Sequence, residues 1–318
     1  GVWSVAPVCE AYGVVSVVIP SKDNFDVLAA CIRSFTEKTD YPAVEFVVVD
    51  NGSSEENKKQ VEDFLKEIDR LPMVTRTQYL YQKEVFNFSA MCNRGVAASG
   101  GEYVLLLNDD IEIIEKNWLK IMVGQALIPG TGAVGAKLWY PDCERIQHAG
   151  ITNLTIGPSH KLITFPEDRL YYYGHGALVM DMIGVTAACL LVRKEIYDSV
   201  GGMNEEMAVA YNDVEFCFRL AKAGYYNVQR NDAVLWHNES LTRGLDDEDE
   251  DKWERLRDER AKLYAKHPEY EGKDPYYSTG FKGNCLDYQV NYLFPYEDRI
   301  KTVERTEVRQ ASKAKSTR

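Results

Sequence analysis

The sequence predicts an α/β fold with a mostly parallel central sheet and helices on both faces. Three observations carry that expectation. Short apolar runs alternate with segments whose apolar residues recur at helical spacing, and such βαβ alternation builds parallel sheets. The runs over residues 14–20, 45–49 and 103–107 are nearly uninterrupted rather than alternating, as expected of strands covered on both faces. Each gives way to a polar or acidic turn, and the rim at the strand ends of such a sheet is where ligands bind.

The elements follow in order. Residues 14–20 form a first buried strand, closed by the turn Pro20-Ser21-Lys22-Asp23-Asn24, which offers helix-capping side chains. Val27, Leu28, Cys31, Ile32 and Phe35 then recur at helical spacing. A second strand over 45–49 runs into Asp50-Asn51-Gly52-Ser53-Ser54, and a polar helix extends to Asp69. Residues 74–80 read as a third strand and 88–98 as a helix stopped by Ser99-Gly100-Gly101. The strand Tyr103-Val104-Leu105-Leu106-Leu107 delivers Asn108-Asp109-Asp110, and the next helix is expected from near Glu115, with its amphipathic part over 118–127. A strand over 132–138 precedes a stretch, 143–180, whose Gly, Pro, His and consecutive tyrosines suggest irregular structure over the sheet. Regular patterns return as a strand over 185–192, a short helix to Val200, a helix over 213–223 with an acidic start, and one or two short strands over 225–237. The acidic run Asp246 to Asp251 reads as a solvated segment or helix start rather than a metal site, because adjacent like charges repel. A charged helix over 253–264 and a polar tail from Thr302 complete the chain, with no internal repeat.

Bulk properties narrow the function. The 318 residues suffice for one large α/β domain plus an appendage. With 49 acidic against 37 basic residues the net charge is −12, which argues against a nucleic-acid partner, since that needs a basic stripe. No apolar stretch approaches the roughly 20 residues that span a bilayer. The start, Gly1-Val2-Trp3, lacks a signal-peptide pattern and suggests a piece excised from a longer protein. The seven cysteines are scattered singly with no CxxC pair, which disfavours disulfides and structural zinc and points to a reducing, cytoplasmic compartment.

Several residues carry chemistry. Two adjacent carboxylates, Asp109 and Asp110, repel unless something positive lies between them, and a divalent cation with bound phosphates is the usual solution. Carboxylate oxygens suit Mg²⁺ or Mn²⁺. Asp50 closes a buried strand; Asp-Asn-Gly-Ser is a good turn in itself, and Asp50 also sits where a base or ribose would lie. His237 follows Val234-Leu235-Trp236 at another strand end, where it is either a satisfied polar residue or a ligand. Asp213 and Glu215 open a helix, a place the helix dipole favours for acids in any case. Lys137 and Arg243 could meet a diphosphate or could be surface cations.

Read in order, Val17-Val18-Ile19-Pro20 with Lys22-Asp23, Val47-Val48-Val49-Asp50-Asn51-Gly52-Ser53, Phe86-Asn87-Phe88-Ser89 and Leu107-Asn108-Asp109-Asp110 form a series. It continues through Ile146-Gln147-His148-Ala149-Gly150, Gly201-Gly202-Met203-Asn204-Glu205, Tyr211-Asn212-Asp213 and His237-Asn238-Glu239-Ser240 to Arg243-Gly244. This series resembles the inverting family 2 glycosyltransferases of GT-A fold, in the branch that assembles bacterial rhamnan, O-antigen and capsule, often as one module of a larger transferase. The resemblance implies a lead-in over 1–13, a transferase domain over 14–245 and a C-terminal helical extension with a polar tail over 246–318. It implies that Pro20 and Ser21 line the nucleotide pocket and that Asp50 contacts a pyrimidine. Asp110 and His237 would then bind Mn²⁺ or Mg²⁺, with Asp109 helping through the metal or the ribose, and Asp213 would be the general base. The family's first motif aspartate is Asn108 here, placed at the nucleotide-sugar, and its Glu-Asp base motif is Asn212-Asp213. The implied donor is a nucleotide-diphospho-sugar, dTDP-rhamnose or a UDP-hexose. The implied acceptor is a growing surface polysaccharide or its lipid-linked precursor, met at the inner face of the plasma membrane by peripheral association. Trp139 and His148 are the better acceptor contacts in a segment that also holds His160 and Tyr171 to Tyr173. A nucleotidyl- or phosphotransferase would need a Gly-rich phosphate loop, which is not evident. A catalytically silent sugar-binding module is the remaining rival.

Overall fold

A computed structural model describes residues 12–141, 144–167, 172–238 and 250–292. The first half alternates as the sequence predicts: β1 (Val15–Ser21), α1 (Phe25–Lys38), β2 (Val44–Asp50), α2 (Glu55–Ile68), β3 (Val74–Tyr81), α3 (Phe88–Ala98) and β4 (Tyr103–Leu107). Every residue of β1, β2 and β4 is buried, which accounts for their nearly unbroken apolar runs. The helices start where capping chemistry allows: the Asn87 side chain accepts the Ala90 N–H at 3.0 Å and opens α3.

The second half departs from simple alternation. It comprises β5 (Ile111–Ile113), α4 (Trp118–Ala126), β6 (Thr131–Trp139), β7 (Ile146–His148), β8 (Ile151–Leu154), β9 (Gly157–His160) and β10 (Val179–Met182). There follow β11 (Cys189–Arg193), α5 (Lys194–Ser199), α6 (Asn212–Lys222), β12 (Tyr226–His237) and α7 (Glu250–Lys266). The sheet runs β10-β12-β6-β11-β4-β1-β2-β3, with β5 on β12 and β7 on β6. Strands β1, β2, β3 and β4 are mutually parallel, and so are β6 and β12. β11 lies antiparallel between β4 and β6. Because it reverses direction against both, β6 and β12 point the same way as β4, and all these parallel strands end at one rim.

Several expectations are corrected. The segment after Asp110 first forms β5 against β12, so the next helix begins only at Trp118. Residues 143–180 are less irregular than their composition suggests: β8 and β9 pair as a separate small hairpin, in which Pro158 is tolerated because a two-stranded edge needs few donors. Residues 185–188 are not strand, since their backbone turns to bond side chains, and β11 starts at Cys189. Residues 226–237 form one strand, bent by irregularities after Tyr226 and Arg230 that mask its period.

Helices cover both faces. Phe35 of α1 packs edge-on against Trp118 of α4, with ring centres 5.6 Å apart, on one face. On the other, Met91 and Val96 of α3 join Phe216 of α6. The α3 contact is close: a Cβ on Gly95 would lie 2.3 Å from Val18 Cγ1 and 3.0 Å from Val49 Cγ2. Gly95→Ala is therefore expected to destabilise by about 1–3 kcal/mol through overpacking. Thermal or urea unfolding checks this, and an unchanged midpoint would refute the close approach. Cys31, Cys92, Cys189 and Cys217 are free and buried, in keeping with cysteine as a small hydrophobe; Cys9 and Cys143 lie outside the described residues.

Glu250 and Asp251 open α7, which packs back on the body. Its Leu263 is fully buried in a cluster with Ile151, Ile183, Met207, Val214 and Phe218.

Candidate active site

The common rim gathers most of the residues singled out in the sequence. Ser21, the last residue of β1, stands opposite Asp50, the last residue of β2. β4 lies on the other side of β1 and hands over directly to Asn108. The Ser21 hydroxyl donates to Asp109 Oδ2 at 2.7 Å and so joins two of these strand ends. Asp50 is buried, with Oδ1 accepting the Ser53 N–H at 2.7 Å and Oδ2 the Tyr79 hydroxyl at 2.5 Å. Burial first, and this carboxylate second, push the Tyr79 phenol far above its ordinary range, so it remains a donor. Next to Asp50, Asn51 Oδ1 is buried without a hydrogen-bond partner.

At the end of β12, His237 comes within 3.1 Å of Asp110 Oδ1 through Nε2. Its other nitrogen, Nδ1, lies 2.6 Å from Gln147 Oε1. That oxygen only accepts, so Nδ1 donates to it. Asn108 Nδ2 lies 3.3 Å from Nε2. Asp110 Oδ1 is itself buried, with the imidazole as its near neighbour. A ring nitrogen and a carboxylate oxygen at this distance need a proton or a cation between them. One imidazole nitrogen and one carboxylate oxygen suit Mn²⁺ or Mg²⁺, whose remaining positions are ordinarily taken by phosphate oxygens and water. Among the described residues no group of three His, Cys, Asp or Glu side chains could hold a metal alone. Burial, and then the charges of Asp109 and Asp110, push the Cys31 thiol well up.

Asp213 opens α6 on the far side of β11. Its Oδ2 accepts the Ala187 N–H at 3.1 Å and its Oδ1 the Val214 N–H at 2.8 Å. Ala188 in turn accepts the Asn108 N–H at 3.0 Å, so one short segment ties Asp213 to the acidic strand end. The Asp213 carboxylate borders a cavity of about 250 Å³ shared with Ser159, His160, Tyr211 and Asn212.

Three expectations fare differently. His148 is fully buried: its Nε2 lies 3.2 Å from Gln229 Oε1, and its ring sits edge-on to His160 at 4.7 Å. Burial, then the nearby His160, hold its basicity well below the usual histidine range. It is part of the core and cannot touch an acceptor. Lys137 is also buried; its ammonium donates to the Gly176 carbonyl at 2.7 Å and pairs with Glu167. Its charge is therefore committed within the fold rather than offered to a diphosphate. Trp139 is partly exposed at the end of β6, its indole N–H donating to Glu167 at 3.1 Å. Pro20 and Ser21 are buried at the end of β1, and Arg243 lies outside the described residues.

Sequence reasoning missed Gln147, which orients His237, and Tyr79, which orients Asp50. Gln147 stood inside a motif already noted, where attention went to the histidine beside it. Tyr79 gave no signal, because a tyrosine on an edge strand is ordinary.

A sheet of this order, with acidic strand ends at one rim, is the frame of the GT-A glycosyltransferases, and solved structures share it. A mannosyltransferase from Pyrobaculum calidifontis, in complex with GDP-Man and Mn²⁺, superposes with a TM-score of 0.59 at 18% identity over 86% of this chain and 69% of that one. GalNAc-T7, with UDP, GalNAc and Mn²⁺, gives 0.58 at 16% identity over 85% and 53%. The chain belongs to glycosyltransferase family 2: the family's sequence profile, "Glycosyl transferase family 2", matches residues 16–201. It is 40% identical over 272 residues to the uncharacterized protein y4gI of Sinorhizobium fredii, covering 85% of this chain and 29% of that protein. To the O-antigen biosynthesis protein RfbC of Myxococcus xanthus it is 33% identical over 235 residues, 73% of this chain and 18% of the other. The chain thus spans less than a third of the length of these curated relatives.

Proposed function

We propose that the protein is a metal-dependent inverting glycosyltransferase. It moves a sugar from a nucleotide-diphospho-sugar, dTDP-rhamnose or a UDP-hexose, to a hydroxyl of a growing bacterial surface polysaccharide. The observation that carries this reading is the approach of His237 Nε2 to the buried Asp110 Oδ1, at the same rim as Asp50 and Ser21. The nucleotide complexes of the two structural neighbours and the name of the O-antigen relative support it.

In this reading Asp50, fixed by Tyr79 and Ser53, and the backbone at Pro20 and Ser21 receive the nucleotide base. Asp109, held by Ser21, faces the ribose, and Asn108 leaves a neutral side chain towards the sugar. Asp110 and His237 hold Mn²⁺ or Mg²⁺, which when bound neutralises the departing diphosphate as a Lewis acid. Asp213 takes the proton of the acceptor hydroxyl as that oxygen attacks the anomeric carbon. The two backbone N–H bonds fix its carboxylate beside the cavity that would receive the acceptor. In-line attack with no covalent intermediate inverts the anomeric centre. Residues 14–245 form the transferase domain, 1–13 a lead-in and 246–318 an extension; association with a membrane surface or with further transferase modules would bring the acceptor. Among the described residues no helix is long and apolar enough to cross a membrane.

The test is nucleoside-diphosphate release from a panel of dTDP-, UDP- and GDP-sugars with Mn²⁺ or Mg²⁺. Release from one donor, abolished by EDTA, is expected and names the sugar. Silence together with no metal-dependent binding of UDP or dTDP would overturn the reading in favour of a silent module.

A further inference from the structure

The family profile matches residues 16–201, whereas Asp213 lies beyond it and is shaped by a part of the chain further on still. Residues 207–212 form the approach to α6. On one side this loop is pinned to α3: the Ser89 hydroxyl donates to the Met207 carbonyl at 2.7 Å and Phe88 N–H to the Ala208 carbonyl at 2.9 Å. The other side faces α7. Glu259 of α7 is 5% exposed, and its Oε2 accepts the Ala210 N–H at 2.5 Å. Tyr211, the next residue, has a φ of +54°, a left-handed conformation that a tyrosine adopts only when its surroundings impose it. A buried carboxylate on a backbone N–H is a strong, directional restraint, and here it acts three residues before Asp213.

The rest of the C-terminal segment braces the β8–β9 hairpin, whose Ile151 and Pro158 to His160 line the same cavity. Tyr264 of α7 donates to Asn153 Oδ1 of β8 at 2.6 Å. Lys161, which follows β9, donates to the Cys285 carbonyl at 2.7 Å and lies 4.5 and 4.8 Å from the ring centres of Tyr277 and Tyr288. On α6 itself, Glu215 is forked by Arg219 and lies 3.2 Å from His267 Nε2, just past α7.

We propose that Glu259 is a positioning residue for Asp213, acting through the Ala210 amide, and that α7 braces from behind the loop that lines the acceptor side of the site. This rests on the reading of Asp213 as the base. In the full chain, with the donor that turns over in the panel, Glu259→Leu is expected to lower kcat roughly 10–100-fold, the scale of a small misplacement of a reacting group. Donor KM and nucleotide affinity should stay at wild-type values, because the Asp50–Ser21 end of the rim is untouched. Glu259→Gln, whose side-chain carbonyl still accepts the Ala210 N–H, should recover most of that loss. A wild-type kcat in Glu259→Leu, or an equal loss in both variants, would overturn the proposal. If Glu259→Leu does not fold, amide exchange in the wild-type protein decides. A strongly protected Ala210 amide supports the restraint, and exchange at the solvent rate overturns it. Asp213→Asn separates the two levels: if it is inactive while Glu259→Leu is fully active, only the positioning role fails, whereas an active Asp213→Asn removes the base and this role with it.

Discussion

Asp213→Asn is expected to lower kcat for sugar transfer about 10²–10⁴-fold, the usual worth of a positioned general base. The amide is nearly isosteric but cannot take a proton from the acceptor hydroxyl. It also changes the local bonding. Both carboxylate oxygens accept backbone N–H groups, from Ala187 and Val214; an amide offers only one oxygen, so one N–H would meet an NH₂ group instead. The cost of leaving that donor unmade is about 1–3 kcal/mol, so the variant should also melt earlier. Nucleotide binding should be unaffected, since Asp213 touches neither Ser21 nor Asp50. Steady-state nucleoside-diphosphate release, with calorimetric binding of UDP or dTDP as control, checks both. Wild-type turnover in a folded variant would remove Asp213 from the mechanism.

Asp110→Ala is expected to abolish metal-dependent turnover. Losing an outer-sphere partner commonly costs 10–100-fold in metal affinity, and the loss of a direct ligand should exceed roughly 100-fold on that scale. The same change also removes the His237–Asp110 contact of the metal-free protein, while the backbone carbonyl of Asp110, which accepts the Asn238 N–H at 2.9 Å, survives the substitution. Melting curves with and without Mn²⁺ and nucleotide would test the ligand role: the wild type gains stability on adding both, and the variant gains nothing. A variant that still responds to Mn²⁺ would place the ion elsewhere.

The first half of the fold was legible because β1, β2 and β4 are buried on both faces and each helix on one, so the two periods do not interfere. The end of β4 was legible for the same reason: an unbroken apolar run stopping at Asn108-Asp109-Asp110 has few structural explanations. Legibility failed where burial was not periodic. The strand β12 is twelve residues long, but its two irregularities shift the inward-facing set and make it read as fragments. The hairpin of β8 and β9 is short, and its Asn153 bonds to a C-terminal segment far away in sequence. His148 and Lys137 misled for a further reason. Polar residues near strand ends suggest a site, yet these two point into the fold, where Gln229 meets His148 Nε2 and Glu167 and the Gly176 carbonyl hold Lys137. Only the side-chain direction separates the two cases, and sequence order alone does not give it.

The reversed strand β11 has a mechanical consequence. It hydrogen-bonds to β4 on one side and β6 on the other, so the two parallel blocks share a continuous ladder with no seam between them. A hinge between nucleotide and acceptor halves would have to tear that ladder and the packing on both faces of it, and such cores do not deform gradually. Amide exchange should accordingly report one opening free energy for β4, β11 and β6 rather than two. Enclosing a bound substrate is then a task for the loops beyond the strand ends, moving over a rim that itself stays still.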